Sequence, residues 1–492
     1  MKRLISGQWA LLAAICVVCV AVLPVSGVAA EKAEKPAASA GAGESTVVAR
    51  IGPYTVTREE LEKQLLMDLR PYDYDYYDED APPADAMSTL LKMVGEKAMV
   101  LEARAKGMLE NEQTQNTVKR DRDKKLTRLL GKTFNESKVV VVSESEIAAK
   151  MKSDPRLDKA TAKQAVENSK RRALGNQYYL QIYRKLHVKI RRENFSKVRQ
   201  LHEQLLRRPK KPRTATWIRN DQVREELTPA EKGIVLATFD KGQITLEDWF
   251  NTLCNIAPPG RPKSVDEAVV DRFLAGALQM PLLVTEAESL GLHKNAEFLK
   301  QVREYEDRLL LGQARTAKTK EASEPTAEQM QTYFNENKET FGTSKSVKID
   351  QIWCDDLAAA KKVRTELDAG KDFEQVKQQY SLEKKLKAFN TRPGSETVFW
   401  KELWAADPNT IVGPIKGFYR QGVNWRVVKV LEKKPAGEPK EYDDQMMRRV
   451  KDRMMTAQRE AVLAAYRKEL LEKYTHQIYA EKVKDIDVLN ID

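Results

Sequence analysis

Residues 49–65 (ARIGPYTVTREELEKQL) and 237–253 (ATFDKGQITLEDWFNTL) align without a gap. Ala49 answers Ala237, Thr57 answers Thr245, Glu59 answers Glu247 and Leu65 answers Leu253. Each stretch predicts a short strand, a turn and a helix capped by threonine. Two acids in the first turn suit the positive end of the helix dipole. The match continues. AMVLEARAKGM (98–108) parallels LLVTEAESLGL (282–292), with Gly107 and Gly291 where a helix would end. A charged helix follows in both, expected to end at Leu129-Leu130-Gly131 and at Leu310-Leu311-Gly312. Capping boxes come next, Ser143 with Glu146 and Thr326 with Gln329. Chance supplies one such match; four in the same order mark an internal repeat. A chain that starts again halfway along folds as two like modules.

The copies then diverge. The first runs into a basic helix, about 164–186, and a strand-like segment at 187–190. The second carries some 90 extra residues before a comparable helix, 442–473, in which Tyr466-Arg467-Lys468 resembles Tyr183-Arg184-Lys185. Within that insert, 346–353 alternates like a strand, 357–367 is helical, Ala369-Gly370 breaks it, and a second helix runs from Asp372-Phe373 to Tyr380. Residues 391–394 read as a turn, 413–415 and 425–431 as strands, and Phe418 and Tyr419 as a loop between them. The whole is α+β: helical modules in tandem, with a small α+β unit inserted in the second.

The chain begins with Lys2-Arg3, an apolar run from Trp9 to Leu23, Pro24 and a small-residue end at Val28-Ala29-Ala30, the pattern of a secretory signal peptide. An uncleaved membrane anchor is the alternative; the short run and Pro24 argue against it, since a span wants about 20 apolar residues. Residues 31–46 read as a flexible linker. Of the four cysteines, Cys254 and Cys354 lie beyond the leader, and two buried free thiols are expected, with one bridge between them the alternative.

The residues GPYTVTREELEKQL (52–65) and LEARAKGM (101–108) resemble the N-terminal chaperone region of periplasmic SurA-type and PpiC-type folding factors. The insert resembles a parvulin-type peptidyl-prolyl isomerase domain through LAAAKKVRTELDAGKDFEQVKQQYS (357–381), PNTIVGPI (408–415) and WRVVKVLEKK (425–434). The resemblance implies a signal peptide at 1–30, the linker at 31–46, a first module at 47–206, a basic linker at 207–233, a second module at 234–344, the parvulin-like domain at 345–434 and a closing helix at 435–492.

It also implies a chemistry. An Xaa–Pro bond prefers trans only slightly, yet exchanges over on the order of tens to hundreds of seconds. Catalysis requires holding the proline ring in an apolar pocket and favouring the twisted amide. Family members do so with a hydrogen-bonded group that usually includes two histidines, one on the first strand and one on the last. Here those positions fall on Gln351 and Arg426, and 346–434 contains no histidine. Both side chains can still hydrogen-bond, but they cannot reproduce a neutral imidazole network that both donates and accepts, so a weak or absent activity is expected. Trp353, Phe399, Trp400, Trp404 and Phe418 are the candidates for binding peptide; ordinary core is the alternative.

The expected partners are unfolded or proline-containing polypeptides. The formal net charge is +12, and residues 184–213 are strongly basic. Nucleic acid is excluded by the leader and by the lack of interleaved aromatic residues; peripheral contact with an anionic membrane remains open. The acidic and aromatic run 70–80 lacks calcium-loop spacing and reads as a solvated loop. His187, His202, His293 and His476 are scattered, so no metal is expected, and no motif for a nucleotide or other cofactor is present. The readings that remain are an exported folding factor in the periplasm, a working isomerase, and an envelope scaffold binding one partner.

Overall fold

The computed structural model describes residues 46–70, 85–211, 213–420, 422–438, 441–487 and 489. The leader at 1–30, all but the last residue of the 31–46 linker, and the acidic run beyond Arg70 lie outside the described residues.

In chain order the first copy gives β1 (Val47–Ile51), β2 (Tyr54–Thr57), α1 (Arg58–Leu69), α2 (Ala86–Ala105), α3 (Glu112–Glu136), α4 (Glu144–Ser153), α5 (Lys159–Lys185) and β3 (Lys189–Ile190). Then comes α6 (Phe195–Arg207). The second copy gives β4 (Val235–Phe239), β5 (Gly242–Thr245), α7 (Leu246–Cys254), α8 (Glu267–Ser289), α9 (Ala296–Thr319) and α10 (Ala327–Glu336). The insert is β6 (Ser346–Cys354), α11 (Leu357–Asp368), α12 (Phe373–Tyr380), β7 (Phe389–Thr391), β8 (Ile411–Tyr419) and β9 (Gly422–Lys434). The copy closes with α13 (Asp444–Lys473) and β10 (His476–Ile478). The fold is α+β and mostly helical.

Local chemistry explains the starts of these helices. Thr57 and Glu60, Thr245 and Asp248, Ser143 and Glu146, and Thr326 and Gln329 all form reciprocal capping boxes, satisfying amides that the first turn leaves open. The helix ends at Gly131 and Gly312 do not form: α3 runs on to Glu136 and α9 to Thr319. The two Leu-Leu-Gly triplets are three residues out of step. Leu126 and Leu130 hold the buried positions that Leu310 and Ala314 hold in the second copy, and a helical face tolerates such a slip because residues three and four apart share it.

Strand pairing departs from the tandem order. β1 pairs with β2, but its other edge takes β10, with Ala49 opposite Ile478 and Ile51 opposite His476. β4 pairs with β5 and takes β3, with Ala237 opposite Ile190. Each opening hairpin thus receives its third strand from the end of the other copy. The buried acids follow suit. Lys473 Nζ and Tyr474 Oη donate to Glu102 Oε2 at 2.6 and 2.8 Å. Lys185 Nζ donates to Glu286 Oε2 at 2.6 Å and Tyr178 Oη to Glu286 Oε1 at 3.2 Å. The chain accordingly divides into one compact unit spanning 111–306 and another formed by 47–110 with 307–487. These bounds cut across the modules expected at 47–206 and 234–344.

Unit 111–306 packs Trp249, Phe250 and Leu274 against Val198 and Leu201 of α6, and Trp249 Nε1 donates to Val270 O at 3.0 Å. The other unit packs Leu61, Leu90 and Val94 against Leu310, Leu463 and Leu470. It also holds the insert, an antiparallel sheet ordered β7-β6-β9-β8. Ile352 and Val427 pack with Val363 and Val376 of α11 and α12, while Ile349, Val428 and Val430 pack with Trp400 and Leu403. Phe418 and Tyr419 belong to β8 and not to a loop, and Thr391 to β7 and not to a turn.

Candidate functional site

β6 and β9 are neighbours, so Gln351 and Arg426 arise on adjacent strands. Arg426 Nη1 donates to Gln351 Oε1 at 2.8 Å. Its Nη2 donates to Glu396 Oε2, in the helical turn Pro393–Glu396. Thr391 Oγ1 donates to the other carboxylate oxygen at 2.8 Å. Room for the guanidinium comes from Gly417 on β8, where a Cβ would lie 2.4 Å from Arg426 Nε. The indole of Trp353 lies 5.2 Å from Arg426 Cζ, a cation–π distance.

Burial decides what this group can do. Arg426 is 2 %, Gln351 4 % and Glu396 5 % exposed. An arginine taken that far from water needs an acid to compensate its charge, and Glu396 supplies it. The guanidinium only donates and does not deprotonate. Glu396 and Gln351 have their acceptors turned to it. The buried Nε of Arg426 is left without a hydrogen-bond partner, and a guanidinium N–H does not exchange its proton with a peptide as an imidazole does. Thr397, the next residue, has φ of 47°, a strained value for a β-branched side chain, and its buried hydroxyl has no hydrogen-bond partner.

The structure does not gather the five aromatic candidates around an open cleft. Trp400 is fully buried and stacks on Trp404 at 5.6 Å, within the core beneath the sheet. Trp353 is buried against Tyr419 at 5.0 Å. Phe399 is buried and meets Phe418 edge-on at 5.1 Å. Phe418 is half-buried, with the Arg70 guanidinium 5.3 Å from its ring and Arg70 Nη2 donating to Gly422 O at 3.0 Å. Sequence reasoning missed Glu396, a lone acid in a turn whose only signal was the need of a buried arginine for a partner.

The basic run is largely engaged. Arg213 Nε lies 3.2 Å from the buried Glu226 carboxylate, Lys211 Nζ lies 3.0 Å from Glu225, and the Lys210 amide donates to Glu226 Oε2 at 2.8 Å. Cys254 and Cys354 are buried free thiols, and burial pushes Cys354 up to about 11. Among the described residues no group of three or more His, Cys, Asp or Glu could hold a metal ion. Unit 111–306 has a cavity of about 330 Å³ lined by His202, Leu206, Trp217, Ile218, Pro258 and Pro262; burial lowers the His202 imidazole to about 4.

The family model of the PPIC-type PPIase domain matches residues 325–446. No curated protein matches the sequence. Among solved structures, one of the two related SurA-like chaperones of Campylobacter jejuni, PEB4 and Cj1289, is similar at 15% identity and a TM-score of 0.24, over 49% of this chain and 98% of that one. The foldase PrsA of Streptococcus pneumoniae is similar at 17% identity and a TM-score of 0.25, over 52% and 97%. At such scores the chains do not superpose as wholes. By the family match, and by the strand–helix–helix–strand order around its sheet, the insert is a PPIC-type, parvulin-like domain.

Proposed function

We propose that the chain is an exported folding factor that binds unfolded or proline-containing polypeptide and whose PPIC-type domain is a poor isomerase or none. One observation carries the second half of this reading: Arg426, Glu396 and Gln351 form a buried, hydrogen-bonded group at the positions where family members usually carry a histidine pair. Favouring a twisted amide requires contacts made in the transition state, and a guanidinium already paired within the core is not free to make them. The domain is left as a rigid support.

For the first half, the family match supports a polypeptide as partner, and the helical units carry exposed apolar side chains such as Met67, Leu290 and Leu299. Shallow apolar surface suits a binder that tolerates many sequences. The leader-like N-terminus supports export to the periplasm. The test is light scattering of a denatured client diluted into buffer with near-stoichiometric full-length protein. Suppressed aggregation is expected. Unchanged aggregation, together with no binding to the unfolded chain, would sink the reading; capture of one folded partner insensitive to unfolded competitor would favour a scaffold.

A further inference from the structure

The duplication provides an internal comparison. Each unit has a cavity beside the third helix and the last long helix of one copy and the end of the second helix of the other. In the unit built from 47–110 and 307–487 it is about 140 Å³, lined by Glu102, Lys106, Lys318, Glu321 and Tyr466 and by four small or apolar side chains. Lys318 Nζ lies 4.8 Å from the Tyr466 ring. In unit 111–306 it is about 360 Å³, lined by Leu130, Phe134, Leu174, Tyr178 and Leu290 and by five polar side chains, Lys138 among them. Phe134 stacks on Tyr178 with centroids 4.4 Å apart. Position for position, Phe134 replaces Lys318, Leu290 replaces Lys106 and Leu130 replaces Ala314. The equivalent scaffold carries lysines at two of these positions, so the fold does not require apolar side chains there.

The adjoining connection diverges in the same sense. Between α9 and α10 it reads KEASEP (320–325), and between α3 and α4 it reads SKVVVV (137–142). The two are equally long and lead into equivalent capping boxes. Val139 is 91 % and Val141 73 % exposed, while Val140 and Val142 are half-buried. This alternation is that of an extended segment. Lys170 Nζ, on α5, donates to Val141 O at 2.8 Å. Among the described residues the amides of 139–142 make no backbone hydrogen bond. A run of valines with open amides is a template to which another extended backbone can add. Lys138 stands beside it, its ammonium 5.8 Å from the Phe134 ring.

We propose that 139–142 and the Phe134–Tyr178–Leu290 cavity form the docking site for an extended apolar segment of unfolded polypeptide. The incoming backbone pairs along 139–142 and one large apolar side chain enters the cavity. Acidic flanks are favoured over basic ones by Lys138. This localises the client of the proposed function and rests on it.

The experiment measures binding of fluorescein-labelled, reduced and carboxymethylated α-lactalbumin, an unfolded acidic chain, to the full-length protein by anisotropy. The proteins are wild type, Val139→Ser/Val141→Ser and Phe134→Lys, with circular dichroism to check folding. The valine pair is exposed, so its replacement leaves the fold intact. It should weaken binding about tenfold or more, as loss of two apolar anchors implies, and Phe134→Lys should do likewise. Wild-type binding with equal binding by the valine variant overturns the site and leaves the function standing. Absence of wild-type binding removes both. A wild-type dimer that the valine variant dissociates in sedimentation assigns the surface to a second copy and also overturns the proposal.

Discussion

Arg426 and Glu396 stand or fall together. Breaking a buried pair by removing one partner leaves an uncompensated charge, which costs about 3–5 kcal/mol, whereas replacing both with apolar or neutral groups of similar size costs far less. Arg426→Ala should therefore lower the denaturation midpoint strongly, and Arg426→Met/Glu396→Gln only slightly, as read by denaturant unfolding. Equal losses would mean that the pair does not hold the insert's centre. Glu102 sets a pH window. Its hydrogen bond from Lys473, aided by Tyr474, holds its carboxyl at about 2, against 4.5 for a free glutamate. The folded value is the lower, so the stabilisation is complete above about 4.5 and is lost as pH falls towards 2. Thermal unfolding across that range should show a shallower fall for Glu102→Gln than for wild type; parallel curves would contradict it.

At the scale of elements, α2 and α13 approach closely because position 95 has no side chain. A Cβ on Gly95 would lie 2.8 Å from Arg467 Cβ. Gly95→Val should push the helices apart and destabilise the unit by about 1–3 kcal/mol, measured as a drop in unfolding midpoint, while Gly131→Ala, which meets nothing, should be neutral or better. Elements were also where the sequence was most legible. Thr57, Thr245, Ser143 and Thr326 announce their helices because a cap is a local device. The strands of the insert show their alternation for the same reason. The end of α3 was misread at Gly131 because a leucine pair followed by glycine looks like a terminus, whereas a single glycine costs a long packed helix only about 1 kcal/mol. The buried site was half legible. Gln351 and Arg426 could be placed by register, but nothing near Glu396 announces a partner thirty residues further along the chain.

At the scale of the molecule, the exchange between copies was invisible in the sequence, since Ala49 and Ile478 carry no local mark of one another and pairing is decided by the whole core. It has a direct consequence. A protease site placed at 214–216, where Thr214 and Thr216 are exposed, separates the copies in sequence, yet each compact unit draws elements from both. The nicked protein should therefore elute as one species in size exclusion and keep its helicity; two separately folded fragments would contradict the strand pairing described. The proposed function, that the chain holds polypeptide and isomerises it poorly or not at all, is tested most directly by refolding a client whose slow phase is Xaa–Pro isomerisation. With stoichiometric full-length protein present, the yield of native client should rise while the slow-phase rate stays at its uncatalysed value. An accelerated slow phase, or no gain in yield, would contradict the account.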